Sequence, residues 1–224
     1  MTALLASCAV VPPVPSEPAW APDENWWAGA IQVGGMVPRK DGSSARVGAE
    51  HARNLYEVAH RIREQSTIAA QIALVDDGEL NAYAMEANGV RQIVFSLPLL
   101  AAIAGDRDAL ATTIGHEAAH IHYAHVAARN VRNRLAMGDS AAIAGILAVN
   151  TSFTRYEERE ADIKGMEWAV AAGFSACGSA RTMRVLRAHG ASTGDNSFLS
   201  SHPGNGERIA RANELSTRLD GRGC

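Results

Sequence analysis

The sequence predicts a mainly helical α+β fold with a small β-sheet, and three observations predict it. A proline-free stretch from about Asp106 to Arg132 opens on two aspartates and reads as one long helix. Two short segments, Thr67–Val75 and Gly89–Phe95, are rich in β-branched or apolar residues and bounded by turn signals. Apolar residues recur at helical spacing toward both ends of the chain. A chain of 224 residues can bury a sizeable core, and 47% apolar content is ordinary, so one compact domain over residues 23–224 is expected.

The first segment, residues 1–22, reads as a leader remnant and tether. Leu5-Ala6-Ser7-Cys8 has the form of a lipoprotein cleavage box, in which Cys8 would carry the lipid. The four residues before the box contain no Lys or Arg and are shorter than a secretory leader requires. The prolines from Pro12 to Pro18 favour an extended tether. A helix follows near Ala49–Gln65, with Leu55, Val58, Ala59 and Ile62 on one face. The strand Thr67–Val75, the Asn81 segment, a hairpin turn at Met85-Glu86-Ala87-Asn88-Gly89 and the strand to Phe95 come next. Pro98 begins a short helix to about Ala104, and the long helix follows. Ala141–Ala148 is a small-residue segment, and the last helix runs from about Gly206 to Leu219 with Ile209, Ala212, Leu215 and Leu219 as its stripe.

The long helix contains His116-Glu117-Ala118-Ala119-His120. Positions i and i+4 share a helical face, so both imidazoles can reach one zinc ion, and Glu117 between them would act as base on a zinc-activated water. A third protein ligand is needed. A Gly seven positions and a His ten positions after His116 would extend the same segment, but Tyr123 and Val126 stand there. That pattern excludes the extended-helix type and points to a carboxylate on a second helix, which the run Arg155–Asp162 offers. Glu158 is the choice because Glu158 and Asp162 lie four apart and face the same way. Asp162 would then accept the free ring N–H of His116 or His120. Ala161 is small enough for close helix approach, and Glu157 and Glu160 would face solvent or neighbouring arginines. His122 and His125 fall on the far side of a continuous helix from His116 and read as packing or surface residues. His51, His60 and His189 have no motif context.

With these motifs in place, the chain resembles the gluzincin peptidases that include the CAAX prenyl proteases, the HtpX heat-shock proteases and the periplasmic proteases related to BepA. Asn81-Ala82-Tyr83-Ala84 is similar to the family's Asn-Ala-Phe segment, and Gly115–His120 and Glu158–Asp162 to its two zinc helices. Ser201-His202-Pro203 followed by Arg208-Ile209 is similar to its fourth motif, so the likeness spans about Ile68 to Leu215. It implies a zincin-like fold with the sheet beside the His116–His120 helix, and one zinc per chain. It also implies an edge strand around Asn81, Ala82 and Tyr83 that pairs with extended or unfolded polypeptide through main-chain hydrogen bonds. His202 and Arg208 would approach the cleft, where either can stabilise an oxyanion. His202 is alternatively a fourth ligand that holds a resting state.

The remaining composition excludes other classes. A formal charge of −3 and a pI near 6.2, without aromatics interleaved among arginines, argue against nucleic-acid binding. Ala141–Val149 is the longest apolar run and is too short to span a bilayer. Cys177 and Cys224 remain once Cys8 is set aside, and they read equally as a disulfide or as two free thiols. The expectation is a zinc endopeptidase of the bacterial periplasm, attached to the membrane by a lipid on Cys8 and acting on misfolded or mislocalised envelope proteins. A cytoplasmic peptidase and a zinc-holding, chaperone-like module without turnover are the alternatives.

Overall fold

The computed structural model describes residues 36–39, 41–76, 78–87, 89–137, 152–193, 202, 205–221 and 223–224. Cys8, the proline-rich tether, the segment Ala141–Ala148, and Ser201 and Pro203 lie outside the described residues.

The strands β1 (Met36–Pro38) and β2 (Ser44–Arg46) form a short antiparallel ribbon before α1 (Ala49–Ser66). Leu55, Val58, Ala59 and Ile62 of α1 are buried on the face that their helical spacing defines. The helix stops where Thr67 takes φ 57° and its N–H donates to the Arg63 carbonyl at 2.8 Å. That left-handed residue delays the next strand, so β3 spans Gln71–Val75 instead of beginning at Thr67.

β5 (Val90–Ser96) is central to a three-stranded sheet, parallel to β3 on one side and antiparallel to β4 (Ala82–Ala87) on the other. The Asn81 segment therefore leads into an edge strand. Ala87 pairs with Val90, and Gly89 takes φ 77°, as a tight hairpin requires. Ser96 then ends the sheet and caps α2 (Leu97–Ile103). Its hydroxyl accepts the Leu99 amide at 3.2 Å and the Asn81 amide at 3.0 Å.

α3 (Arg107–His122) starts at Asp106, whose carboxylate accepts the Ala109 amide at 3.0 Å. Every residue from Ala109 to Ile121 is buried, because α1, the sheet, and the later helices α5 (Arg155–Ala171) and α6 (Cys177–Thr193) surround it. A helix buried all round has no polar stripe, so its central position is invisible to periodicity. The expected single helix to Arg132 is corrected here: α3 ends at Tyr123, Ala124 takes φ 57°, and α4 (His125–Met137) begins anew. No Gly or Pro marks that break.

α5 opens with a capping box in which Thr154 and Glu157 exchange amide-to-side-chain hydrogen bonds of 3.2 and 2.7 Å. α6 was not anticipated. α7 (Asn205–Asp220) buries Ala212 and Leu215, with Ile209 and Leu219 half-buried beside them. A disulfide joins Cys177 at the start of α6 to Cys224, with their Cα atoms 5.3 Å apart, so the two cysteines are paired. No helix among the described residues is long and apolar enough to cross a membrane.

Candidate metal centre

Two helices and one turn converge on a buried cluster. His116 and His120 project from α3, Glu158 from α5, and His202 stands just before α7; one ligand atom from each lies within 4.8 Å of the others. His116 Nε2 is 3.1 Å from His120 Nε2 and 3.5 Å from Glu158 Oε2, and His120 Nε2 is 3.4 Å from Glu158 Oε1. His202 Nδ1 is 3.3 Å from His116 Nε2 and 2.8 Å from Glu158 Oε1. A tetrahedral zinc ion with bonds of about 2.0–2.1 Å separates its ligands by about 3.3 Å. Five of the six residue pairs approach to 2.8–3.5 Å, so the cluster suits zinc in the number and type of its donors and comes close to it in spacing.

The helix crossing that brings them together is closer than Ala161 alone allows. A Cβ added to Gly115 would lie 2.6 Å from the Gly165 carbonyl oxygen, so α3 and α5 touch backbone to backbone there. Glu158 and Asp162 precede Gly165 by about two turns and one turn and share its face.

Electrostatics then separate the roles. Burial lowers His120 well below the usual imidazole range, which leaves it neutral with a lone pair to donate. Burial acts to raise Glu158, but His202, Arg208 and the hydrogen bond from His120 hold it well below the usual carboxylate range. Arg208 lies behind Glu158, with Nη1 2.7 Å from Oε2. It also donates from Nε and Nη2 to Asp162 at 3.0 and 2.7 Å. Asp162 in turn sits 3.1 Å from His116 Nδ1. Burial opposes the charge on Asp162, yet Arg208 and His116 bring its pKa down to about 2. The Arg208 guanidinium thus faces Glu158, one of the four clustered donor residues, and Asp162, which contacts His116.

Glu117 differs from its neighbours. It is fully buried, and burial raises its pKa above the usual carboxylate range. Its two oxygens accept no well-formed hydrogen bond among the described residues. The Ala84 amide on β4 and His202 Nε2, 3.7 Å from Oε1, are the donors that face it. A buried carboxylate left this free has proton-accepting capacity to spare.

The predicted peptide-pairing edge lies alongside. The Ser96 amide donates to the Asn81 carbonyl at 2.9 Å, so alternation turns the main-chain groups of Ala82 and Ala84 to the outer side of β4. Ala82 and Ala84 are buried there, and Arg129 from α4 donates to the Ala84 carbonyl at 3.1 Å. The Arg129 guanidinium also lies 4.4 Å over the Phe153 ring. Asn81 anchors the start of β4 through its amide, and its Oδ1 is buried without a partner among the described residues.

Two expectations need correction, and one neighbour of the site carried no signal in the sequence. His125, expected as a packing or surface residue on the far side from the site, is buried beside it: the turn at Ala124 swings it back until its Nδ1 is 3.1 Å from His120 Nδ1. Glu160 faces His125 Nε2 at 3.3 Å, where solvent or an arginine was expected. Phe153, which no motif signalled, stacks on His120 with ring centroids 3.7 Å apart. Glu157 does meet an arginine, Arg132, at 2.9 and 3.0 Å. His122 is exposed and packs edge-on against Trp168.

Comparison with known families gives one result. A sequence model described as peptidase family M48 matches residues 49–146 and 127–216, well over half of the chain. No curated protein matches the chain significantly.

Proposed function

Because the chain belongs to peptidase family M48, we propose that it is a zinc-dependent endopeptidase that cleaves misfolded or mislocalised polypeptides, with Glu117 as general base. The observation that carries this reading is the buried Glu117 carboxylate, which accepts no well-formed hydrogen bond among the described residues, beside four metal-type donors. His116, His120 and Glu158 would hold the ion, with His202 beside them. Zinc supplies Lewis acidity toward a scissile carbonyl and lowers the pKa of water toward about 7.

The protein's own groups divide the remaining work. Burial raises the proton affinity of Glu117, which suits it to take a proton from water near neutral pH and pass it to the leaving amine. His202 Nε2 lies on the Glu117 side of the cluster, 3.7 Å from Glu117 Oε1, and is the candidate to meet a developing oxyanion. Arg208 acts behind the site, holding Glu158 and Asp162 in orientation. An extended substrate would add to the outer side of β4 near Asn81, Ala82 and Tyr83, which requires Arg129 to release the Ala84 carbonyl.

The site of action we propose is the bacterial periplasm, with attachment to the membrane through a lipid on Cys8. The lipobox-like Leu5–Cys8 and the paired Cys177 and Cys224 support it, since disulfides persist in oxidising compartments. An unacylated Cys8 in the mature protein would favour the cytoplasmic alternative.

A second reading, a latent zinc-holding module, is favoured by His202 Nδ1 standing among the other donors. One experiment separates the two: casein degradation by wild type and Glu117→Gln, with bound zinc measured in both. Cleavage by wild type alone at equal zinc supports the peptidase. Zinc in both with cleavage in neither favours the latent module, and cleavage gained in His202→Ala would identify His202 as its lock.

A further inference from the structure

We propose that His125 and Glu160 form a hydrogen-bonded relay that fixes the tautomer and ring plane of the metal ligand His120. The inference rests on the zinc reading above and deepens it. His120 Nε2 points into the cluster, 3.1 Å from His116 Nε2 and 3.4 Å from Glu158 Oε1. Its other nitrogen, Nδ1, points away, 3.1 Å from His125 Nδ1, and His125 Nε2 lies 3.3 Å from Glu160 Oε2.

Proton bookkeeping along this chain has one solution. A nitrogen that offers its lone pair to a cation leaves the ring proton on the other nitrogen, so His120 carries it on Nδ1. That N–H donates to His125 Nδ1, which must then be bare. The His125 proton therefore sits on Nε2 and donates to Glu160, and an ionised carboxylate can only accept. Reversing either tautomer would aim an N–H at the metal-type donors or at another N–H.

The backbone is shaped for this contact. Successive helical residues turn by about 100°, so in an unbroken helix His125 would stand about 140° around from His120 and could not face it. The chain instead leaves α3 at Tyr123 and passes through Ala124 at φ 57°, a conformation uncommon for a residue with a Cβ. Phe153 stacks on the face of the His120 ring, at an interplanar angle of 14°. His120 is thus held in plane by Phe153 and in rotation by His125. The two histidine ligands have unlike supports: His116 is backed directly by the buried Asp162, and His120 by an imidazole that relays to a carboxylate with 30% of its side chain exposed.

His125 is a positioning residue, and zinc affinity of the full chain, measured by chelator competition, tests it without recourse to activity. His125→Phe keeps an aromatic ring, a somewhat larger one, against Tyr123 and Phe153 but removes the acceptor; His125→Asn returns an acceptor oxygen near the Nδ1 position. The expected result is a 10- to 100-fold loss of zinc affinity in the Phe variant and recovery to within a few-fold of wild type in the Asn variant. Equal affinity in wild type and His125→Phe would overturn this inference alone. A wild type that binds no zinc would overturn the metal centre and this inference with it. Should the Phe variant not fold, ¹⁵N NMR of the imidazoles in zinc-loaded wild type decides: protons on His120 Nδ1 and His125 Nε2 are expected, and a proton on His125 Nδ1 overturns the relay.

Discussion

Gly165 in α5 lies so close to α3 that a Cβ on it would stand 2.5 Å from the amide nitrogen of His116, inside any real contact distance. The neighbours at this point are backbone atoms, which cannot rotate aside. The separation of the two helices that carry His116, His120 and Glu158 is therefore set by two hydrogen atoms, one on Gly115 and one on Gly165. Gly165→Ala is expected to cost about 2–3 kcal/mol of stability through overpacking, despite the better helix propensity of alanine. It should also weaken zinc binding, because Glu158 would move away from His116 and His120. Urea denaturation of metal-free protein together with zinc competition checks both, and an unchanged variant would show that the helices do not meet there.

At Ala124 the left-handed φ of 57° costs a residue with a Cβ about 1–2 kcal/mol, whereas glycine adopts it freely. Ala124→Gly is expected to stabilise the protein by about 1 kcal/mol once glycine's greater freedom in the unfolded chain is subtracted. The measurement is the urea midpoint at fixed slope. A loss of stability would mean that the chain does not turn through this conformation.

Asp106 makes an acid-side prediction. Burial acts to raise its pKa, but the hydrogen bond from Arg181, the Ala109 amide and the Arg181 charge together hold it below the usual value. A carboxylate whose folded pKa is depressed stabilises the protein above its unfolded pKa of about 3.9, and that contribution is lost as pH falls through the lower folded value. Asp106→Asn keeps a capping side chain and removes the charge. The variant should be less stable than wild type at pH 7, and the gap should narrow at a pH below the usual carboxylate range. Parallel unfolding curves at the two pH values test this; a gap that stays constant would assign the effect to packing.

The disulfide between Cys177 and Cys224 closes a loop of 47 residues, for which chain entropy suggests about 4 kcal/mol of stabilisation. Reduction, or Cys224→Ser, is expected to lower stability by about 2–4 kcal/mol while zinc stoichiometry stays the same, since neither cysteine touches the cluster. Urea titrations with and without reductant, with bound zinc assayed alongside, measure both quantities.

Much of the centre was legible because it follows from helical geometry. His116, Glu117 and His120 are local to one helix, and Glu158 and Asp162 share one face of another, so spacing alone predicts what each pair presents. The amphipathic α1 and α7, the proline-led α2 and the Asn-Gly hairpin are likewise local patterns of burial and turn chemistry. Family resemblance, rather than any local rule, brought His202 and Arg208 into consideration; only the fold gives Arg208 its place between Glu158 and Asp162.

What the tertiary structure decided is whatever depends on residues far apart in the chain. The break after His122 has no Gly or Pro to announce it, and it exists because His125 gains burial and two hydrogen-bonding neighbours by leaving the helix axis. Glu160, on a helix turned away from its own Glu158, acquires a role only because α4 delivers His125 to it. The Gly115–Gly165 contact, the Arg129 latch on Ala84 and the Phe153 stack are equally products of packing. Periodicity describes one element at a time. Which faces meet, and how closely, is settled by the fit of several elements at once.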